Sequence, residues 1–260
     1  MNSEIDKDAK TVVIKIGGAR LSAKDDLDKL TNHVNFHKRN GFSVAIVHGG
    51  GPEISELHQR LSLPFEKRNG LRVTGKKSME LVSMVLCGTV NKRIAAHFSR
   101  RGLKSIGLSG IDGGLLNADL LDESVYGRVG RNPEVKSDLL WELFSLDYVP
   151  VIAPVALCAD GGLVNINADD SALAIAMAIG ASSFDFITDI PGVENKEKNI
   201  IPEMTPKDIQ TLIDNRVVRG GMIPKLQAAA KAVRSGVGCV RVGDFESIER
   251  KRATAVVVAI

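Results

Sequence analysis

An α/β fold built on a largely parallel sheet is what this sequence predicts. Short β-branched runs alternate with longer amphipathic stretches, and glycine pairs or triplets sit at many of the joins. The first unit sets the pattern. Thr11–Ile16 (TVVIKI) is apolar enough to be buried on both faces, Gly17-Gly18 follow, and a helix runs over about 23–39. The second repeats it: a strand at 44–47, then His48-Gly49-Gly50-Gly51, then a helix beginning near Pro52. Proline suits a first helical turn, where its missing N–H costs nothing.

The remaining elements follow in order. Residues 66–74 alternate as a short hairpin does, and a long helix over 77–101 carries Met79, Val82, Val85 and Leu86 at helical spacing. A strand at 105–108 and a glycine-rich turn at 110–114 lead into a less regular stretch ending near Lys136. A helix near Asp138–Ser145 precedes the strand Val149–Ala153. Asp160-Gly161-Gly162 marks a hairpin-type turn, and Asn165-Ile166-Asn167 enters an apolar helix over 171–179. Strands at 184–188 and 239–242 flank helices at Pro206–Asp214 and 223–235, and residues 253–258 close an edge. No low-complexity linker divides the chain, so residues 1–260 read as one domain with one continuous sheet and two lobes.

Composition excludes several classes. An apolar share of 44% and a charged share of 25% are ordinary for a globular protein, not for a disordered or collagenous one. Lys plus Arg is 34 against 31 for Asp plus Glu, a net +3, too weak to announce nucleic acid, and 4% aromatics leaves little for base stacking. Cys87, Cys158 and Cys239 are scattered and odd in number, which fits small buried hydrophobes and no disulfide framework or CxxC metal site. The polar N-terminus lacks a signal-peptide core, and the longest apolar run, 149–159, is far short of the ~20 residues that span a membrane. The expectation is a cytoplasmic protein without membrane or nucleic-acid partners.

The 25 glycines are the unusual number. In open parallel sheets, ligands bind beyond the carboxyl ends of the strands, where loops enter helix N-termini. Gly17-Gly18, Gly49-Gly50-Gly51 and Gly220-Gly221 fall at such places. One cluster alone would be read as a tight turn; three, two of them near lysine, point to backbone N–H groups approaching phosphate. The familiar phosphate motifs fail. Gly70 to Lys77 matches a P-loop until Lys77 stands where the magnesium-binding hydroxyl belongs, and no G-x-G-x-x-G occurs. His33 and His37 have helical i, i+4 spacing without the HExxH glutamate, which places them on a solvated or interfacial face. Lys15 interrupts an apolar strand, where an unpaired ammonium is costly. Lys225 lies in a first helical turn, where a cation wants an anion beside it. Asp169 and Asp170 open a helix; one suits the N-cap and the other is free to pair with lysine.

Quoted in order, Lys15-Ile16-Gly17-Gly18, Val47-His48-Gly49-Gly50-Gly51-Pro52, Asn69-Gly70-Leu71-Arg72-Val73-Thr74 and Gly88-Thr89-Val90-Asn91-Lys92 form one half of a pattern. Leu163-Val164-Asn165-Ile166-Asn167-Ala168-Asp169, Thr188-Asp189-Ile190-Pro191-Gly192-Val193 and Gly220-Gly221-Met222-Ile223-Pro224-Lys225 complete it. The sequence resembles the amino acid kinase family over nearly its whole length, and its Arg72 and Asn165 segments resemble the branch that phosphorylates N-acetyl-L-glutamate. The resemblance implies a three-layer αβα sandwich around a central, mainly parallel sheet. Residues 1–175 would bind the acyl amino acid and residues 176–260 the nucleotide. The implied reaction is ATP-dependent phosphorylation of the γ-carboxylate of N-acetyl-L-glutamate, a step in arginine biosynthesis. The resemblance makes Lys15, Lys225 and Asp169 catalytic, with Asp169 orienting both lysines. It assigns Gly50, Gly51, Arg72, Asn165 and Asn167 to the acyl amino acid, and Gly17, Gly18, Thr188, Asp189, Gly192, Gly221 and Met222 to the nucleotide. Mg2+ would arrive with ATP.

Two departures matter. Family members carry a Gly-Thr near the C-terminus after a longer last helix, whereas this chain has Ala253-Thr254-Ala255, so that end is expected to be shortened or rebuilt. About ten residues precede the first strand, so the hexamer-building N-terminal helix of arginine-inhibited relatives is not expected, and the resemblance implies an arginine-insensitive homodimer. The helix over 77–101 is the candidate for the dimer contact. Competing readings are a kinase acting on glutamate or aminoadipate attached to an amino-group carrier protein, with Lys76-Lys77 meeting the acidic partner, and a nucleotide- or amino-acid-binding module without catalysis.

Overall fold

The computed structural model describes residues 7, 9–21 and 24–258; the expected helix start at Ala23 and most of the segment before the first strand lie outside them. The chain opens with β1 (Thr11–Ile16), α1 (Lys24–Arg39), β2 (Ser43–His48) and α2 (Gly51–Arg60). A small hairpin of β3 (Lys67–Arg68) and β4 (Leu71–Arg72) precedes α3 (Lys76–Ser83) and α4 (Asn91–Arg100), joined by a π-helical segment, Met84–Val90. Next come β5 (Ser105–Ser109), β6 (Leu116–Leu120), α5 (Glu123–Tyr126), β7 (Gly130–Val135) and α6 (Asp138–Ser145). They are followed by β8 (Val149–Ala153), β9 (Val155–Leu157), β10 (Leu163–Asn165) and α7 (Ala168–Ala178). The last part holds β11 (Ser183–Ile187), β12 (Glu203–Met204), α8 (Pro206–Asp214), α9 (Met222–Arg234), β13 (Val240–Gly243), α10 (Phe245–Glu249) and β14 (Thr254–Val256).

Eight strands form the central sheet in the order β12-β14-β13-β11-β1-β2-β8-β5, parallel throughout except where β13 meets β14. Strand alternation divides the core between its two faces. Val13, Val47, Ile152 and Phe184 pack on one side with residues of α6, α7 and α9; Val12, Ile14, Ile46 and Val151 pack on the other with α1, α3, α4 and Phe245. Helices therefore cover both faces, giving the three-layer αβα sandwich. Every residue of β1 is buried, and each of its Val and Ile side chains is worth about 1.5–3 kcal/mol relative to exposure, with Lys15 the one charge among them. Local signals fix the ends. Thr205 and Asp208 form a capping box with Pro206 at the first turn of α8. No helix among the described residues is long and apolar enough to cross a membrane.

Several expectations are corrected. The long helix over 77–101 is broken by the π-helical Met84–Val90, whose wider turn keeps Val85, Leu86 and Val90 buried. The less regular stretch up to Lys136 contains an antiparallel pair, β6 with β7, in a second, four-stranded sheet with β9 and β10. A bulge between Asn117 and Asp119 blurs the alternation that would have announced it. Strand β14 is not the edge: it lies antiparallel to β13 and is flanked by β12. The end after β13 consists of the short α10 and β14, whose Thr254 is buried and accepts the Val193 N–H at 2.7 Å.

Candidate active site

The chain builds outward from β1 through β2 to β8 and β5, then returns to place β11 on the other side of β1. That reversal makes the carboxyl ends of β1 and β11 a topological switch point, the usual ligand position in an open α/β sheet. Lys15 lies there, in register with Val47 on β2 and Phe186 on β11. Alternation turns its side chain to the Val13 face, toward α7 and α9. Asp169, in the first turn of α7, comes 2.5 Å from the Lys15 Nζ. Lys225, in the first turn of α9, donates to the other carboxylate oxygen at 2.9 Å, its ammonium 5.5 Å from the centre of the Phe186 ring. Three positions distant in sequence thus meet as one carboxylate bridging two cations.

The electrostatics follow from burial and charge. Desolvation is the main influence on Lys15 and, with the Lys225 charge, holds its pKa below the ordinary lysine value although Asp169 opposes the shift. Burial pushes the Asp169 carboxyl up, but the two ammoniums outweigh it and keep the group below the usual carboxylate range. The side chain of Asn167 caps α7 by accepting the Asp169 N–H at 2.8 Å, so neither aspartate serves as N-cap. Asp170 has a raised pKa through burial and the neighbouring Asp169.

Two glycine loops border the lysines. A Cβ on Gly18 would come within 2.7 Å of the Gly50 Cα, and one on Gly50 within 2.7 Å of a Leu86 methyl, so Gly18 lets two backbones touch and Gly50 makes room for the Leu86 side chain. Gly17 and Gly51 are different. Neither has a positive φ, and a Cβ on either meets nothing within 4 Å. Neither turn geometry nor packing demands glycine there, whereas a ligand pressed onto the backbone would.

Beside these loops is a pocket of about 180 Å³ whose lining includes Gly51, Lys67, Arg72, Leu86, Asn165 and Asn167. Arg72, buried on β4, lies 4.7 Å over the Phe65 ring and donates through Nη2 to the Gly51 carbonyl at 3.0 Å and to Ser55 Oγ at 2.6 Å. Its Nη1 is buried without a hydrogen-bond partner, and no carboxylate pairs with the guanidinium among the described residues. Burial lowers its pKa. Such an orphaned donor is costly unless a ligand oxygen completes it. Asn165 donates to Thr74 Oγ1 at 3.3 Å.

The model of the amino acid kinase family matches residues 10–244. The chain belongs to the amino acid kinase family. It is 45% identical to acetylglutamate kinase of Geobacillus stearothermophilus over 225 residues, 86% of each chain. It is 39% identical to acetylglutamate kinase of Bacillus subtilis strain 168 over 254 residues, covering 96% of this chain and 97% of the relative. Among solved structures, the crystal structure of smu.665 from Streptococcus mutans UA159 superimposes with a TM-score of 0.79 at 31% identity, covering 97% of this chain and all of the other.

Within this amino acid kinase scaffold, the residues expected around the nucleotide are less uniform. Thr188 continues β11, its N–H on the Gly243 carbonyl at 2.9 Å and its hydroxyl on Ile190 O at 2.9 Å. Asp189 accepts from Arg20 Nε at 2.6 Å, tying the loop after β11 to the loop after β1. Gly192 is required by packing, since a Cβ there would press on Ile200 and Thr254. Gly220 adopts a positive φ of 58°, Gly221 caps α9, and Met222, which opens that helix, packs partly on the core.

Of the solvated or interfacial face expected for His33 and His37, the solvated alternative is wrong. Both are buried under the sheet, each with Nε2 on Asp185 Oδ2, at 3.0 and 2.9 Å. Asp185 supplies the charge that makes their burial tolerable, and it lies on the face opposite Lys15. Buried His48 and Asn91 also went unread: Asn91 donates to His48 Nε2 at 3.1 Å and to the Val151 carbonyl at 2.8 Å, tying α4 to β2 and β8. The one signal for it was the Asn91-Lys92 segment quoted above. Lys67 and Arg20 carried no signal beyond their charge.

Proposed function

We propose that this chain transfers the γ-phosphoryl group of ATP to the γ-carboxylate of N-acetyl-L-glutamate, giving N-acetyl-L-glutamyl 5-phosphate and ADP in arginine biosynthesis. The observation that carries the reading is the Asp169-held lysine pair at the switch point, beside a pocket that ends on an unpaired arginine donor. Relatives 45% and 39% identical that are described as acetylglutamate kinases support this acceptor.

The chemistry needs few parts. A carboxylate oxygen attacks the γ-phosphorus, the bond to the bridging oxygen breaks, and ADP carries away the electron pair. The attacking carboxylate is already ionised at neutral pH, so no general base is required. Two anions must nonetheless approach, and negative charge spreads over the transferring group. Catalysis is therefore positioning and electrostatic stabilisation. In this reading Lys15 and Lys225 meet that charge, Lys225 toward the leaving oxygen, and Asp169 fixes both ammoniums. Gly17, Gly18, Gly50 and Gly51 present backbone N–H groups, and Arg72 Nη1 takes a substrate carboxylate oxygen. Asn165 and Asn167 face the acetylamino group, while Thr188, Asp189, Gly192, Gly221 and Met222 surround the nucleotide. Mg2+ would come as a companion of the nucleotide and offset its phosphate charge, since Asp169 already carries two ammoniums.

In the same reading residues 1–175 form the acyl-amino-acid lobe and residues 176–260 the nucleotide lobe, and the enzyme is a cytoplasmic homodimer. Met84, 61% exposed in the middle of the helical segment from α3 to α4, supports that segment as the contact. ADP release measured with N-acetylglutamate, glutamate, aspartate, carbamate and UMP tests the assignment. Turnover with N-acetylglutamate well above the others is expected. Preference for another acceptor would overturn it, and activity on none would favour a binding module.

A further inference from the structure

Across the sheet from the lysine pair lies a second constellation that the phosphoryl chemistry does not use. His33 Nε2 and His37 Nε2, one helical turn apart on α1, converge on Asp185 Oδ2 of β11, and these donor atoms lie within 4.8 Å of one another. All three residues are buried. Arg241 Nε fixes the other oxygen of Asp185 at 2.7 Å and reaches Ser183 Oγ at 2.8 Å through Nη2. The outer ring nitrogen of His33 faces Glu249 Oε1 at 3.1 Å. Phe245 and Phe42 wall the cluster, 5.3 Å from His33 and 5.7 Å from His37 between ring centres.

We propose that His33, His37 and Asp185 form a site for one divalent cation of the zinc type. Two imidazoles and one carboxylate are a recurrent donor set for such ions, and nitrogen donors disfavour magnesium and calcium. Two further features match a metal site. A metal-bound histidine donates its outer N–H to a carboxylate, the place Glu249 holds, and a ligating carboxylate is itself hydrogen-bonded, the place Arg241 holds. The His33 ring stands between two carboxylates, its Nε2 toward Asp185 and its Nδ1 toward Glu249. On ligation each ring presents an unprotonated Nε2 to the ion, with the His33 proton on Nδ1 toward Glu249, and any proton displaced leaves to solvent. Entry runs past Glu249, whose side chain is 32% exposed and lines a surface pocket of about 290 Å³ with Asn32, Phe36 and Arg39. The site would tie α1, β11 and α10 together and lies outside the catalytic cleft.

Loading the purified chain with Co2+ or Zn2+, removing free ion and measuring metal content tests this. About one equivalent per chain is expected, with Co2+ absorption typical of nitrogen and oxygen donors and a raised melting temperature. His37→Gln should lower the affinity at least tenfold, and Glu249→Gln, which leaves the three donors in place, by about 10–100-fold. Kinase activity should not depend on the loading. Less than a tenth of an equivalent retained by the wild-type chain, a thiolate-to-cobalt band, or unchanged affinity in both variants would overturn the proposal. Because metal content is read on the wild-type chain, misfolding of a variant leaves the test intact.

Discussion

The Asp169 carboxylate lies 2.5 Å from the Lys15 ammonium, joining the first turn of α7 to the end of the central strand. Its second oxygen holds Lys225, so removing the charge releases both cations. Asp169→Asn, Lys15→Ala and Lys225→Ala are each expected to lower kcat by about 10²-fold or more, the scale of losing one transition-state donor. The pH profile adds a sign. Lys15 stabilises charge only when protonated, and burial already holds its pKa below the ordinary lysine value. Asp169 is the group that raises it, so in Asp169→Asn the alkaline fall in kcat should move to lower pH. Steady-state rates between pH 7 and 10.5 check this; an unmoved alkaline limb would count against the coupling.

Arg72 leaves one buried donor without a partner. Lysine cannot supply a planar fork at that place. Arg72→Lys should therefore raise the KM for the acyl amino acid by about 10-fold or more, in keeping with about 1.5–3 kcal/mol for a charged hydrogen bond, with little change in the KM for ATP. Equal loss for both substrates would point to a structural role.

The glycines separate into two kinds. Gly18→Ala drives a methyl to within 2.7 Å of the Gly50 Cα and should cost about 1–3 kcal/mol of stability. Gly17→Ala meets nothing within 4 Å, and Gly17 has an ordinary extended backbone with φ −71°. Its stability should stay within about 0.5 kcal/mol of the parent while the KM for ATP rises. Denaturant midpoints and steady-state kinetics measured on the same preparations separate the two.

His48 is fully buried, and desolvation lowers its pKa from 6.5 to about 4. The unfolded chain therefore binds the additional proton as pH falls through this window, and the contribution to stability is lost between pH 6.5 and 4. The full loss is about 3 kcal/mol, from 1.36 kcal/mol per pKa unit. Wild-type stability measured across that range should fall more steeply than that of His48→Gln; parallel curves would contradict the assignment.

How much of this was legible depends on where each residue's partner lies. Lys15 was legible because a cation in an apolar strand has no cheap structural explanation. Asp169 and Asp170 share a first helical turn, and no local feature tells which one pairs; the choice is made by Lys15 and Lys225, and Asn167 takes the cap. His33 and His37 were misread because Asp185 lies 152 and 148 residues away. Gly192 reads the same whether a nucleotide or Ile200 demands the space. The π-helical Met84–Val90 escaped because its apolar positions serve an ordinary helical period equally well.

The most direct test of the account is formation of the acyl phosphate itself. Incubation with ATP, Mg2+ and N-acetyl-L-glutamate in the presence of hydroxylamine should give the γ-hydroxamate in step with ADP release, with Lys225→Ala slower by about 10²-fold or more. ADP release without hydroxamate, or hydroxamate formed equally by Lys225→Ala, would contradict it.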